Sequence, residues 1–238
     1  MKKFLITITL LVLMMTACSP EFQGTESPAD EADTAVTTVE PEQSLDPLEE
    51  AVIKQLAANL GLKQSDISVV INEPVEYENA CMGVAMEGIA CAEVVTAGNT
   101  IVLEAKGIQY EYRVGADGER IQPATLAMIW KREGGIAGFC DSMTIFLSGE
   151  VYGNQCRSEP DGTMDTFANL FSASDHKQFD AWARQFGAVT LDASDPKGVS
   201  DRMEVTLVLS GIGSGKPSKE QEQVLFTWAQ KLFQKLYS

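Results

Sequence analysis

The sequence predicts an α+β protein of two small units, each an antiparallel sheet with packed helices, carried behind a disordered tether. Three observations predict it. Runs such as Ile67, Val69, Ile71 and Met203, Val205, Leu207, Leu209 alternate with the period of a half-buried strand. Several such runs are joined by short Gly-containing turns, which favours hairpins and antiparallel pairing. Three other segments repeat their apolar residues at helical spacing behind capping residues.

In the first unit, residues 46–123, Asp46 is a candidate N-cap, Pro47 suits the first helical position and Glu49 completes a capping box. Leu48, Val52, Leu56 and Leu60 share a helical face, and Gly61 stops the helix. After the strand around Ile67–Ile71, residues Pro74 to Ala92 read as irregular. Thr100–Ala105 and Ile108–Val114 flank Lys106-Gly107 as a hairpin, and Asp117-Gly118 turns the chain into a short run ending at Ile121. A boundary is placed between Pro123 and Ala124.

The second unit, residues 124–238, opens with Ala127-Met128-Ile129-Trp130. Ser142–Leu147 and Glu150–Arg157 form a hairpin around Ser148-Gly149. Ser172 and Asp175 cap a helix carrying Phe179, Trp182 and Phe186, which Gly187 ends. The Met203–Leu209 strand follows. Ser218 and Gln221 cap a last helix with Leu225, Trp228, Leu232 and Leu236 on one face. The aromatic stripes of both helices read as core.

The N-terminal segment has a different composition. Met1-Lys2-Lys3 precede a largely apolar run from Phe4 to Met15, the pattern of a secretory signal. A membrane span needs roughly 20 apolar residues, so this run is too short to remain in a bilayer. It ends in Met15-Thr16-Ala17-Cys18-Ser19, which resembles the lipobox of bacterial lipoproteins, with Met15 where Leu is usual. The resemblance implies a signal peptide over residues 1–17 and a lipid on Cys18. The mature chain would then sit on the cell membrane or outer membrane, facing the periplasm or the cell exterior. Residues 18–45 read as an acidic, disordered linker. No Lys or Arg falls between Lys3 and Lys54, and residues 19–50 carry ten acids among Ser, Thr, Pro and Ala. Such a chain cannot bury enough apolar surface to fold. A coil of about 30 residues spans roughly 30 Å, enough to hold a folded body away from the membrane.

The formal net charge is −16, and −18 once Lys2 and Lys3 are removed. Nucleic acid is excluded as a partner, because phosphate binding needs clustered Lys and Arg. Apart from Cys18, four cysteines remain: Cys81, Cys91, Cys140 and Cys156. An exported chain meets a disulfide-permissive compartment, where three pairings are open. Cys81–Cys91 and Cys140–Cys156 are favoured, since each pair is local and lies within one unit. The 142–157 hairpin also brings Cys140 nearly opposite Cys156. Each loop would contribute about 2–3 kcal/mol. No CxxC spacing suggests zinc.

No catalytic constellation stands out. His176 is the only histidine and falls in the polar first turn of a helix, where a solvated ring is expected. Triads and zinc hydrolases need a His beside a nucleophile, or several. Gly211-Ile212-Gly213-Ser214-Gly215-Lys216 lies between strand and helix like a phosphate loop. Ser210 replaces its first Gly, however, and Pro217 its magnesium-binding hydroxyl. Asp192, Asp195 and Asp201 cluster near one loop, without the spacing of an EF-hand. No metal or cofactor is indicated.

One specific lead remains. Trp130-Lys131-Arg132-Glu133 runs into Gly134-Gly135-Ile136-Ala137-Gly138, and Asp201-Arg202-Met203-Glu204-Val205-Thr206-Leu207 forms a later strand. Together with the order of elements over residues 127–238, these segments resemble emfourin, a bacterial protein inhibitor of thermolysin-like metallopeptidases. The match to its Gly-Gly-Phe-Ala-Gly segment has Ile136 in place of Phe, and the Cys140–Cys156 hairpin departs from the family. The resemblance implies a non-enzymatic, membrane-anchored binding module whose partner is an exported metallopeptidase or another envelope protein. It also makes Gly134, Gly135, Ile136, Ala137 and Gly138 the candidate contact, since chain without bulk approaches a cleft closely. A tight bend between strands is the competing reading of those five residues. A structural or assembly lipoprotein of the envelope is the alternative function.

Overall fold

A computed structural model describes residues 45–155 and 165–237. The signal segment, Cys18 and nearly all of the acidic linker lie outside the described residues. Ser44–Ser238 forms one compact unit.

Helix α1 spans Pro47–Leu60. Asp46 caps it through a complete capping box with Glu49, and Gly61 ends it in the left-handed conformation, φ 63°. Strands β1 (Ile67–Tyr77), β2 (Thr96–Ala105), β3 (Ile108–Gly115) and β4 (Ile121–Pro123) form an antiparallel sheet in sequence order. Lys106 and Gly107 both have positive φ, 52° and 73°, as a two-residue hairpin turn requires. β1 is longer than expected, because Pro74 sits inside it. β1 is an edge strand, so a residue without N–H is tolerated there. The loop that follows holds the Cys81–Cys91 disulfide and buries Met82 and Val84.

Strands β5 (Leu126–Gly134), β6 (Phe139–Phe146), β7 (Glu150–Gln155), β8 (Asp165–Leu170), β9 (Ala188–Asp192) and β10 (Met203–Ser210) make a second antiparallel sheet, ordered β8-β7-β6-β5-β10-β9. Helix α2 (Ala173–Gln185) joins β8 to β9, and α3 (Lys219–Tyr237) closes the chain. Ser172 caps α2 and the Ser218–Gln221 pair caps α3. β8 and β9 were not expected. Asp-Thr-Phe-Ala-Asn-Leu and Ala-Val-Thr-Leu-Asp are too short and mixed to show a period, and both are edge strands set by their neighbours.

The expected boundary between Pro123 and Ala124 is where the chain passes from one sheet to the other. The two halves nevertheless share one buried cluster. Val52 and Leu56 of α1, Leu103 of β2 and Tyr112 of β3 belong to it, as do Trp130 of β5, Met143 of β6, Phe179 of α2 and Phe233 of α3. The helical stripes are core, as expected. Trp130 and Phe233 lie 5.2 Å apart, and Phe179 stacks on Trp228 at 5.7 Å.

A carboxylate also joins the halves. Glu150, at the start of β7, is buried. Its Oε1 accepts from Gln55 Nε2 (3.1 Å) and Asn59 Nδ2 (2.7 Å) of α1 and from the Tyr112 hydroxyl (3.5 Å) of β3. Ser148 Oγ donates to Oε2. A buried charge is tolerated only where donors replace its water. Glu150→Ala leaves those donors without their acceptor. It is expected to cost about 3 kcal/mol or more, at 1.5–3 kcal/mol for each bond to a charged group. For a body of this size the Tm should fall by roughly 6–12 °C in circular-dichroism melts, and a fall under about 2 °C would contradict the role assigned to Glu150.

Candidate functional site

The β5–β6 hairpin ends in the five residues singled out from sequence. Gly134 pairs with Phe139 as the last rung, and Gly138 N–H donates to the Gly135 carbonyl at 3.0 Å to close the turn. Gly134, Gly135 and Gly138 have φ values of 81°, 70° and 61°. Gly134 is required twice over. Its φ strains any side chain, and a Cβ there would lie 2.5 Å from the Arg202 carbonyl oxygen. The segment is an exposed turn, not a buried bend, and Ile136 at its apex is 92% exposed.

The base of the turn is braced from two sides. On one side Arg132 donates through Nε to Asp141 Oδ2 at 3.0 Å and pairs with the same oxygen through its terminal nitrogen. Its guanidinium lies 3.8 Å from the centre of the Phe139 ring and 5.7 Å from that of Trp130. Asp141 is 1% exposed, and its Oδ1 has no hydrogen-bond partner among the described residues. Removing one partner of such a buried pair typically costs about 3–5 kcal/mol. Arg132 therefore fixes Phe139, the residue next to the turn.

On the other side lies β10. Met203 pairs with Gly134, and Gly135 N–H donates to the Arg202 carbonyl at 3.1 Å. The loop leading into β10 is held by its own polar groups. Asp195 accepts from Met203 N–H at 2.9 Å, Arg202 Nε donates to the Asp195 carbonyl at 2.8 Å, and Arg202 pairs with Glu204. The 130–138 and 201–207 segments singled out from sequence thus lie on neighbouring strands, with Trp130 opposite Leu207. The strands and loop beside the turn carry both signs of charge: Glu133, Asp195, Asp201 and Lys197 are exposed, and Glu204 is paired with Arg202.

The other sequence candidates do not converge on this turn as a chemical site. Asp192 accepts from Ser194 N–H at 2.8 Å, and hydrogen bonds from Ser194 hold its carboxyl below the usual range. No group of three or more metal-ligating side chains occurs among the described residues. Three amides of the Gly211–Gly215 segment are spent on the end of α2. Ile212 N–H donates to the Ala183 carbonyl at 2.7 Å, Gly213 N–H to the Phe186 carbonyl at 2.9 Å, and Gly215 N–H to the Gln185 carbonyl at 3.0 Å. A Cβ on Gly213 would lie 2.3 Å from the Arg184 carbonyl oxygen, so these glycines allow close packing.

His176 differs from its expected solvated position. Its ring packs beside Phe171 and Gly149, and its buried Nε2 has no hydrogen-bond partner among the described residues. Burial holds its pKa below the usual value. Cys140 is disulfide-bonded, and Cys156, its expected partner, lies outside the described residues. Sequence reasoning missed Glu150 and the Arg132–Asp141 pair. An acid inside an apolar strand run is a weak signal of either, because it does not name the partner.

Residues 49–123 match the model of a family described as Domain of unknown function (DUF8738), which covers the first sheet and nearly all of α1. No curated protein and no solved structure matches the chain significantly.

Proposed function

We propose that the chain is a lipid-tethered, non-enzymatic protein-binding module that makes contact through the Gly134–Gly138 turn. The observation that carries this reading is Ile136. A large apolar side chain is 92% exposed at the apex of a turn whose base is fixed by Arg132, Phe139 and the β10 backbone. A lone exposed apolar residue is ordinary on a protein surface. One on a braced, narrow projection is suited to enter a concave partner, because little conformational freedom is lost on docking.

The emfourin resemblance supports an exported thermolysin-like metallopeptidase as that partner. The acidic tether and the lipid on Cys18 would hold the turn in the compartment where such enzymes act. The protein lacking residues 1–45 is expected to inhibit a thermolysin-like enzyme at stoichiometric ratios. Ile136→Asp should weaken that inhibition about 30-fold or more, as for an interface residue worth at least 2 kcal/mol, with its melting temperature unchanged. Full proteolytic activity at stoichiometric excess, across several such enzymes, would remove the inhibitor reading. The anchor has its own test. The full chain expressed in a bacterial host should incorporate labelled palmitate and sediment with membranes, and Cys18→Ala should do neither. Equal labelling of the two would rule out Cys18 as the lipid site.

A further inference from the structure

We propose that the cleft between the β2–β3 turn and α2 binds a small oxyanion group, a phosphate or a carboxylate, through Lys106, Lys177, Arg184 and the Tyr110 hydroxyl. The cleft has a volume of about 240 Å³ and is lined by these four residues with His176 and Asp180 among others. Liquid water takes roughly 30 Å³ per molecule, so the space admits such a group with a short stem.

Three cations gather here in a chain of net charge −16. The acid that lines the cleft is already committed, because Arg184 Nε donates to both oxygens of Asp180 at 3.2 and 2.9 Å. Lys106 and Lys177 form no salt bridge among the described residues. The positive φ of Lys106 sets it at the tip of its hairpin, and its charge acts on the His176 ring across the cleft. Like charges converge at a cost unless an anion lies between them.

The second observation is independent of charge. Tyr110 is only 3% exposed, yet its hydroxyl makes no hydrogen bond among the described residues. Asp180 and Arg184 are the charged groups that act on it, which places the hydroxyl end at the cleft. The hydroxyl is not among the buried partnerless atoms, so its donor is open to the cleft and available to a ligand oxygen. Burial, with Asp180 next, pushes its pKa up to about 12, so at neutral pH it is a donor. A donor hydroxyl and two lysines without salt bridges, beside an Arg184 that already neutralises the one carboxylate of the lining, suit an oxyanion better than a metal ion.

His176 is the only histidine, so its ring protons are a built-in reporter at the cleft wall. The full-length protein in detergent would be titrated with inorganic phosphate, and separately with acetate, at pH 7 and constant ionic strength. The His176 proton resonances should shift to saturation with at least one of them. The arm that saturates identifies a phosphoryl or a carboxylate ligand. The double substitution Lys106→Asn and Lys177→Ala should raise the apparent Kd at least about tenfold. Both side chains are exposed, and Asn tolerates positive φ, so the fold should persist. Tyr110→Phe, which removes only the hydroxyl, should weaken binding severalfold. Absence of a saturable shift with either anion would overturn the proposal. So would an equal shift in the double variant, which would indicate an adventitious ion only.

Discussion

The buried carboxylate of Glu150 is the constraint on which the arrangement of the two halves depends. Its acceptor oxygens are shared among α1, β3 and the turn before β7, so one charge ties β7 to α1 residues 91 and 95 positions away and to a β3 residue 38 away. The apolar cluster around it is not directional and would accept many packings. A carboxylate that must be hydrogen-bonded accepts few. The physical consequence is one body in place of two. The first sheet and α1 use the second sheet to bury their faces, and the family match over residues 49–123 spans a portion whose core continues into the rest of the chain.

The same logic recurs at the β5–β6 turn. Asp141 is buried one strand residue from Cys140, and its pairing with Arg132 fixes the guanidinium against Phe139. Rigid strands thereby extend to the last rung of the hairpin, and only four residues project beyond it. The glycines allow the turn and its close approach to Arg202, while Ile136 gives it an apolar apex. The basic cleft beside α2 involves the other sheet's hairpin and is built from different residues.

The legible parts of the fold were those written in local chemistry. The Asp46 capping box, the Lys106-Gly107 turn and the alternation in β10 each require only neighbouring residues, and each is present. β8 and β9 were invisible because edge strands of five or six mixed residues take their form from the strand beside them. Pro74 misled for a physical reason, since it forbids a central strand but not an edge. At the candidate site the glycine spacing could be read, whereas its bracing could not. Arg132 and Asp141 are nine residues apart, and nothing in their spacing distinguishes a buried pair from two solvated charges. His176 was misplaced because a polar helix turn suggests solvent, while the β6–β7 turn packs over it.

The central claim is that the two sheets form one cooperative frame from which the Gly134–Gly138 turn projects. Native-state hydrogen exchange tests it most directly. The slowest amides of β2 and β3, around Leu103 and Tyr112, should open with the same free energy as those of β5 and β6, around Trp130 and Met143. The free amides of the turn should exchange far faster. Opening of β2 and β3 at a clearly lower free energy than β5 and β6 would contradict the account, because it would make the first sheet a separate domain.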